Sequence, residues 1–182
     1  CHKPVLIDLP MNIQRGDVKN PVYDKTNYIY SIYCAREYLE DQDVLLMHGD
    51  LVFENTVLDD VMESQESCMT VSSTLPLPEK DFKAVIHKNR IEFFEDALAA
   101  QPLYKLNKED WNVWLARIEE FCEKEKVSCY AENAFNEVSD QCLIRPFDVQ
   151  DRLCAEIDNP EDLKQVSGML KEVENRTVYM CF

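Results

Sequence analysis

Short apolar runs of strand type alternate along this chain with longer stretches of helical periodicity, and this alternation limits the fold more than any other feature. KTNYIYSIYCAREYLED, Lys25 to Asp41, has apolar residues at Ile29, Ile32, Tyr33 and Leu39, with Thr26 or Asn27 placed to cap a helix. DVLLM, Asp43 to Met47, is a buried strand by pattern and ends in His48-Gly49-Asp50, read as a loop in which the glycine lets the backbone turn sharply. Asn55 is placed to cap a short helix carrying Val57, Leu58, Val61 and Met62, and SCMTVSS from Ser67 reads as a second strand. Pro76 and Pro78 break the pattern; KAVIH and RIEFF, joined by Lys88-Asn89, then suit a hairpin. After a strand over PLYKL, Pro102 to Leu106, comes the clearest helix, with Trp111, Trp114, Leu115, Ile118, Phe121 and Cys122 along one stripe. CLIRPFDV and DRLCAEID follow as strands, and Asp158-Asn159-Pro160-Glu161-Asp162 opens a last helix expected to reach Glu174.

Helices interleaved with apolar strands predict an α/β domain with a largely parallel or mixed sheet. In such sheets the working residues lie just beyond the carboxyl ends of strands, where Asp50 and Asp158 both fall. Asp158 is expected to end the strand DRLCAEID, two residues beyond Glu156, so that the two acids share one face of the strand. Two aspartates at separate strand ends can hold one Mg²⁺, a hard cation that takes carboxylate, water and phosphate oxygens. Each also has a plainer reading, Asp50 as a turn residue and Asp158 as a helix cap.

Composition excludes several classes. The 182 residues make one sizeable domain, and 46% hydrophobic with 30% charged residues is an ordinary globular balance. No apolar run approaches the roughly 18 residues that cross a bilayer, and CHKPVLIDLP lacks an apolar signal core, so a cytoplasmic protein is expected. A net charge of −16 repels nucleic acid and anionic membranes at long range. A nucleoside triphosphate would be repelled as well, unless a metal ion or a basic segment meets its charge. Eight cysteines without a CxxC pair read as thiols of a reducing compartment, and the three histidines form no zinc-type cluster with them.

Taken with their flanks, these residues form a set. NPVYDKTNYIYSIYCAREYL, DVLLMHGDLVFE, FKAVIHKNRIEFF, YAENAFNEV and EIDNPEDL, in that order between about Val18 and Gln165, resemble the nucleotidyltransferases that activate phosphocholine and sugar phosphates. The phosphocholine cytidylyltransferase group is the nearest likeness. The resemblance implies a three-layer α/β/α fold of the nucleotide-diphospho-sugar-transferase type (GT-A, Rossmann-like) with a mixed sheet. It implies that Asp50 and Asp158 bind a catalytic Mg²⁺, that Asn27 and Ser31 lie by the active site, and that Tyr130 and Glu132 line the acceptor pocket. The implied reaction transfers a nucleotidyl group, CMP from CTP, to a small phosphorylated acceptor such as phosphocholine and releases pyrophosphate. The acceptor's phosphate already carries the attacking oxygen, so no general base is needed, and a shared metal ion relieves the repulsion between two anions. A quaternary ammonium head would call for aromatic faces; Tyr130 with Glu132 can supply one, and Trp111 or Trp114 another unless their stripe is core.

The sequence departs from that family at one point. Members open with a strand and a Gly-rich loop carrying Arg and Lys that cradles the triphosphate, whereas the three glycines here, Gly16, Gly49 and Gly168, are not spaced for one. The expectation is therefore residues 1–174 as the C-terminal two-thirds of such a domain, N-terminally incomplete and inactive alone. Residues 175–182 are expected to be a linker or the first strand of a following, fused domain. A sugar-1-phosphate nucleotidyltransferase and a noncatalytic acidic interaction module on the same scaffold remain the alternative functions.

Overall fold

A computed structural model describes residues 18–75, 83–87, 90–92, 98–172 and 178–180. Its elements, in chain order, are α1 (Tyr28–Ala35) with a 3₁₀ turn at Arg36–Tyr38, β1 (Val44–Met47), β2 (Leu51–Glu54), α2 (Asn55–Glu63) and β3 (Cys68–Ser72). There follow β4 (Lys83–His87), β5 (Arg90–Glu92), β6 (Leu98–Leu106), α3 (Lys108–Glu123), α4 (Ala131–Asn136), β7 (Arg145–Asp148), β8 (Cys154–Glu156), α5 (Pro160–Glu172) and β9 (Val178–Met180). Pro76, Pro78, the Lys88-Asn89 turn and the stretch from Val173 to Thr177 lie outside the described residues.

The larger sheet runs β5-β4-β6-β3-β7, with β1 also on β6. β3 pairs with β6 from Cys68↔Lys105 to Ser72↔Ala99. That fills one edge of β6, so β1 (Val44↔Leu106 to Met47↔Leu103) and β4 (Lys83↔Ala99) share the other. β3 with β7 is the one parallel pairing among the described residues and the rest are antiparallel, so the sheet is mixed rather than largely parallel. Alternation along β1 sends Val44 and Leu46 to one face and Leu45 and Met47 to the other. The first face meets α1, α3 and α4; the second meets α2 and the inner side of a small sheet ordered β8-β2-β9. α5 covers the outer side of that small sheet through Val166, against Val52 and Leu153. The layers expected of a nucleotide-diphospho-sugar-transferase-like α/β fold are thus in place.

Local chemistry explains the helices, with some departures from expectation. Asn27 caps α1, its Oδ1 accepting from Tyr28 N at 2.7 Å. Asn55 is not the cap of α2: it is the first helical residue, its amide donates to Asp59, and Glu54 stands in the cap position. α3 has Glu109 and Asp110 in its first turn, suited to the helix dipole. Its stripe is core: Trp111 and Trp114 are fully buried, donating to Leu39 O and Ala131 O at 2.9 Å. Trp114 packs edge-on against Tyr104, Trp111 and Phe135, so neither tryptophan offers a face to a ligand. The six described cysteines are free thiols, and burial pushes those of Cys122 and Cys154 up to about 12. No helix among the described residues is long and apolar enough to cross a membrane. Val178–Met180, in the stretch expected to be a linker or the start of another domain, pairs antiparallel with β2 from Val52↔Met180 to Glu54↔Val178.

Candidate functional site

The chain leaves β1 at Met47, passes His48-Gly49-Asp50 and enters β2, whose partner is β8 in the register Leu51↔Glu156 to Phe53↔Cys154. Two backbone bonds hold the connection, His48 N to Pro102 O at 3.2 Å and Ile157 N to Asp50 O at 3.0 Å. No described glycine has a positive φ, so the turn at Gly49 does not use the left-handed freedom expected of it. The β2–β8 ladder instead sets the geometry, drawing the two acidic motifs together although they are far apart in sequence.

Three side chains converge at this junction. Donor atoms of His48, Asp50 and Glu156 all lie within 4.8 Å of one another. His48 Nδ1 is 2.9 Å from Glu156 Oε1, and the imidazole side chain is only 9% exposed. His48 Nε2 is buried and makes no hydrogen bond among the described residues. Two carboxylates and an imidazole form a donor set suited to a divalent cation. Asp158 lies two residues beyond Glu156 and is exposed. It is not the cap of α5. That role falls to Asn159, whose Oδ1 accepts from Glu161 N and Asp162 N, while Asp162 Oδ2 accepts from the backbone N–H of Asp158 and Asn159.

The remaining predicted residues form a wall beside this cluster. Asn27 N donates to Val127 O at 2.8 Å, fastening the start of α1 to the α3–α4 connection. Ser31 Oγ accepts from Asn20 Nδ2 at 3.2 Å, so it too is tied to the approach to α1. Tyr130, half exposed, precedes α4, and its ring centroid is 6.3 Å from that of Tyr28. Tyr28 in turn meets the His48 ring edge-on at 4.9 Å, linking Tyr130 to the cluster of His48, Asp50 and Glu156. Glu132 is buried, with one carboxylate oxygen accepting from Tyr28 Oη and the other from Tyr104 Oη, the latter at 2.8 Å. Burial, then the Glu132 charge, raises the pKa of both phenols well above the ordinary tyrosine value, so they stay protonated donors.

His48, Glu156, Tyr28 and Tyr104 are the members that sequence reasoning missed, Glu156 being read there only as sharing a strand face with Asp158. His48 had a visible signal, its spacing of two residues from Asp50 at a strand end. The tyrosines had none, because at helical and strand spacing they read as ordinary core.

The fold defines a class: the chain has the fold of nucleotidyltransferases, and two solved structures similar to it are CTP-using transferases. One is the inositol-1-phosphate CTP transferase from T. maritima, with a TM-score of 0.63 and 22% identity over 87% of this chain and 66% of that one. Another is the CTP:phosphocholine cytidylyltransferase from Streptococcus pneumoniae, with a TM-score of 0.63 and 15% identity over 83% of this chain and 67% of that one. At such identities the likeness establishes the fold. In sequence, 56 residues (31% of this chain) are 43% identical to the CMP-5'-(3-aminopropyl)phosphonate synthase of Streptomyces rubellomurinus, of which they span 9%. No family model matches.

Proposed function

We propose that the chain is part of a nucleotidyltransferase that moves CMP from CTP to a small phosphorylated or phosphonylated alcohol or amine, phosphocholine being the representative acceptor, and releases pyrophosphate. The observation that carries this reading is the β2–β8 ladder. In a fold shared with CTP transferases, it gathers Asp50 and Glu156 at the strand ends and leads directly to Asp158.

Asp50 and Asp158 are the residues proposed to hold Mg²⁺, which would neutralise charge between two anionic reactants. The carboxylates fit such an ion, since hard oxygen donors are what Mg²⁺ takes. The chain's own residues do the positioning. The ladder fixes Asp50 against the EID segment, and Tyr28 fills the space between that cluster and Tyr130. An acceptor with its phosphate near Asp50 and Asp158 would lay its other end along the Tyr28–Tyr130 wall. The buried Glu132 charge behind Tyr28 favours a cationic head there. Asn27 and Ser31 set the start of α1 and through it the place of Tyr28. Bringing the attacking phosphate oxygen in line with the α-phosphorus is the main task left to the protein.

The test is labelled CTP with a panel of phosphorylated and phosphonylated alcohols and amines, using the longest natural polypeptide that carries this chain. A CDP-linked product with equimolar pyrophosphate is expected, falling at least about a hundredfold in Asp50→Asn, as for loss of a strong electrostatic contact to the transition state. If CTP binds but no acceptor reacts, the noncatalytic acidic module stands in its place. Product with sugar 1-phosphates alone would move the acceptor to that class.

A further inference from the structure

We propose that His48, Asp50 and Glu156 form a cation site with an imidazole ligand, which extends metal acceptance beyond Mg²⁺ to nitrogen-accepting ions such as Mn²⁺ and Co²⁺. The inference rests on the nucleotidyltransferase reading only for the ion's use in turnover; the site itself stands on geometry.

Two bonds of about 2.1 Å meeting at a right angle put neighbouring donor atoms about 3.0 Å apart, and opposite donors about 4.2 Å apart. The 2.9 Å between His48 Nδ1 and Glu156 Oε1 and the 4.8 Å limit on the whole set come close to those spacings. An ion could enter with little rearrangement of the three side chains. The imidazole is also fixed before any ion arrives. Its backbone N–H is bound to Pro102 O, the edge-on Tyr28 ring confines it, and Tyr28 is anchored by Glu132. A second observation separates the cluster from an ordinary acidic patch: the His48 side chain is more than nine-tenths buried, Nε2 has no hydrogen-bond partner among the described residues, and the ring's polar contact to a side chain is made by Nδ1, the nitrogen that faces Glu156. A buried imidazole beside two carboxylates adds nothing that an oxygen-only Mg²⁺ site requires. Imidazole suits Zn²⁺ and the later first-row ions, and affinity for a mixed nitrogen and oxygen site rises from Mn²⁺ to Co²⁺; Mn²⁺, the most oxygen-loving of that series, is the stringent probe of whether the imidazole binds.

Pulsed EPR of the full chain loaded with MnCl₂ alone tests this directly, because a bound ¹⁴N modulates the electron-spin echo. Nitrogen modulation is expected in the wild type and in Asp158→Asn, and its loss is expected in His48→Gln. In parallel CoCl₂ titrations, His48→Gln should weaken Co²⁺ by at least about tenfold, the lower bound for losing even an outer partner of a metal site. Mg²⁺, measured by competition, should change much less. Bound Mn²⁺ without nitrogen modulation overturns the site, as does an unchanged preference for Co²⁺ over Mg²⁺ in the variant, or no Mn²⁺ binding by the folded wild type. Should His48→Gln fail to fold, Asp50→Asn serves in its place, and loss of the nitrogen-coupled ion there puts the ion at this cluster. Turnover with Mg²⁺ but no nitrogen coupling would sink this inference and leave the function. Nitrogen coupling without nucleotidyl transfer would do the reverse.

Discussion

The two sheets of this molecule are built on different principles. The large sheet packs its α1–α3–α4 face with Ile29, Ile32, Trp111, Trp114, Ile118 and Phe135, all fully buried. The small sheet and α5 enclose far less: among the described residues, Val52, Leu153 and Val166 are the buried members of their shared cluster. The small sheet, however, carries Glu156 on β8 and begins directly after Asp50 at β2. The thickly packed region supplies stability, and the thin one takes on the electrostatic cost of like charges brought together. Work at the junction depends on both, because β6 holds His48 through Pro102 while Ile157, the residue after β8, holds Asp50.

The largest test of this contrast is truncation within each core. Trp114→Ala should cost about 3–5 kcal/mol, the usual range for emptying a buried aromatic site, and Val166→Ala only about 1–2 kcal/mol for two methyl-sized groups. Denaturant unfolding measures both. Equal losses would break the comparison, since the small sheet would then support stability as strongly as the tryptophan cluster does.

A second test concerns the wall between the regions. Tyr28 and Tyr104 have folded pKa values raised above 10.0, the ordinary value, by burial first and then by Glu132. The unfolded chain therefore ionises these phenols before the folded one does. Their stabilising contribution is intact below about pH 10 and is lost as pH rises from there towards the folded values. Tyrosinate absorbance and helical circular dichroism, followed together through an alkaline titration, read this out. Tyr28 and Tyr104 should ionise only with the loss of helical circular dichroism. Titration of every tyrosine ahead of that loss would place the wall with the loose region rather than the sealed one.

Much of this was legible in the sequence wherever side-chain periodicity carried the information. The stripe from Trp111 to Cys122, the apolar run at Val44–Met47 and the acidic start of α5 emerge close to where local pattern places them. β2 was not legible, because LVFE is too short to show alternation and runs straight into α2. Nor was α4, at six residues. In the candidate site, Asp50 was marked by its strand end. The convergence of Glu156 on His48, by contrast, follows from the antiparallel β2–β8 register, and pairing register is a tertiary fact. The burial of Glu132 between two phenols has the same origin: partners 104 and 28 residues away leave no local trace.

The smallest expected effects come from two backbone positions, one in each region, and they ask whether the regions unfold together. α3 ends in a Schellman arrangement, with Lys126 N bound to Phe121 O at 2.8 Å and Glu125 N to Cys122 O at 3.0 Å. Glu125 therefore occupies the left-handed position at φ 59°, which glycine takes without the steric cost of a Cβ. Gly168 presents the opposite case: it lies within α5, where an added Cβ would meet nothing within 4 Å. Glu125→Gly should gain about 0.5–1 kcal/mol by relieving the left-handed strain, and Gly168→Ala a similar amount by lowering the entropy of the unfolded chain. If the two sheets form one cooperative unit, each substitution raises the same unfolding midpoint and the double variant sums them, because the sites share no partner. If the small sheet opens first, Gly168→Ala protects only the amides of α5 and β8 from hydrogen exchange and leaves the global midpoint where it was. The junction proposed to bind a cation would then sit on a locally unfolding edge, and a cation bridging His48 of the β6-tethered turn and Glu156 of β8 would raise the protection of those same amides.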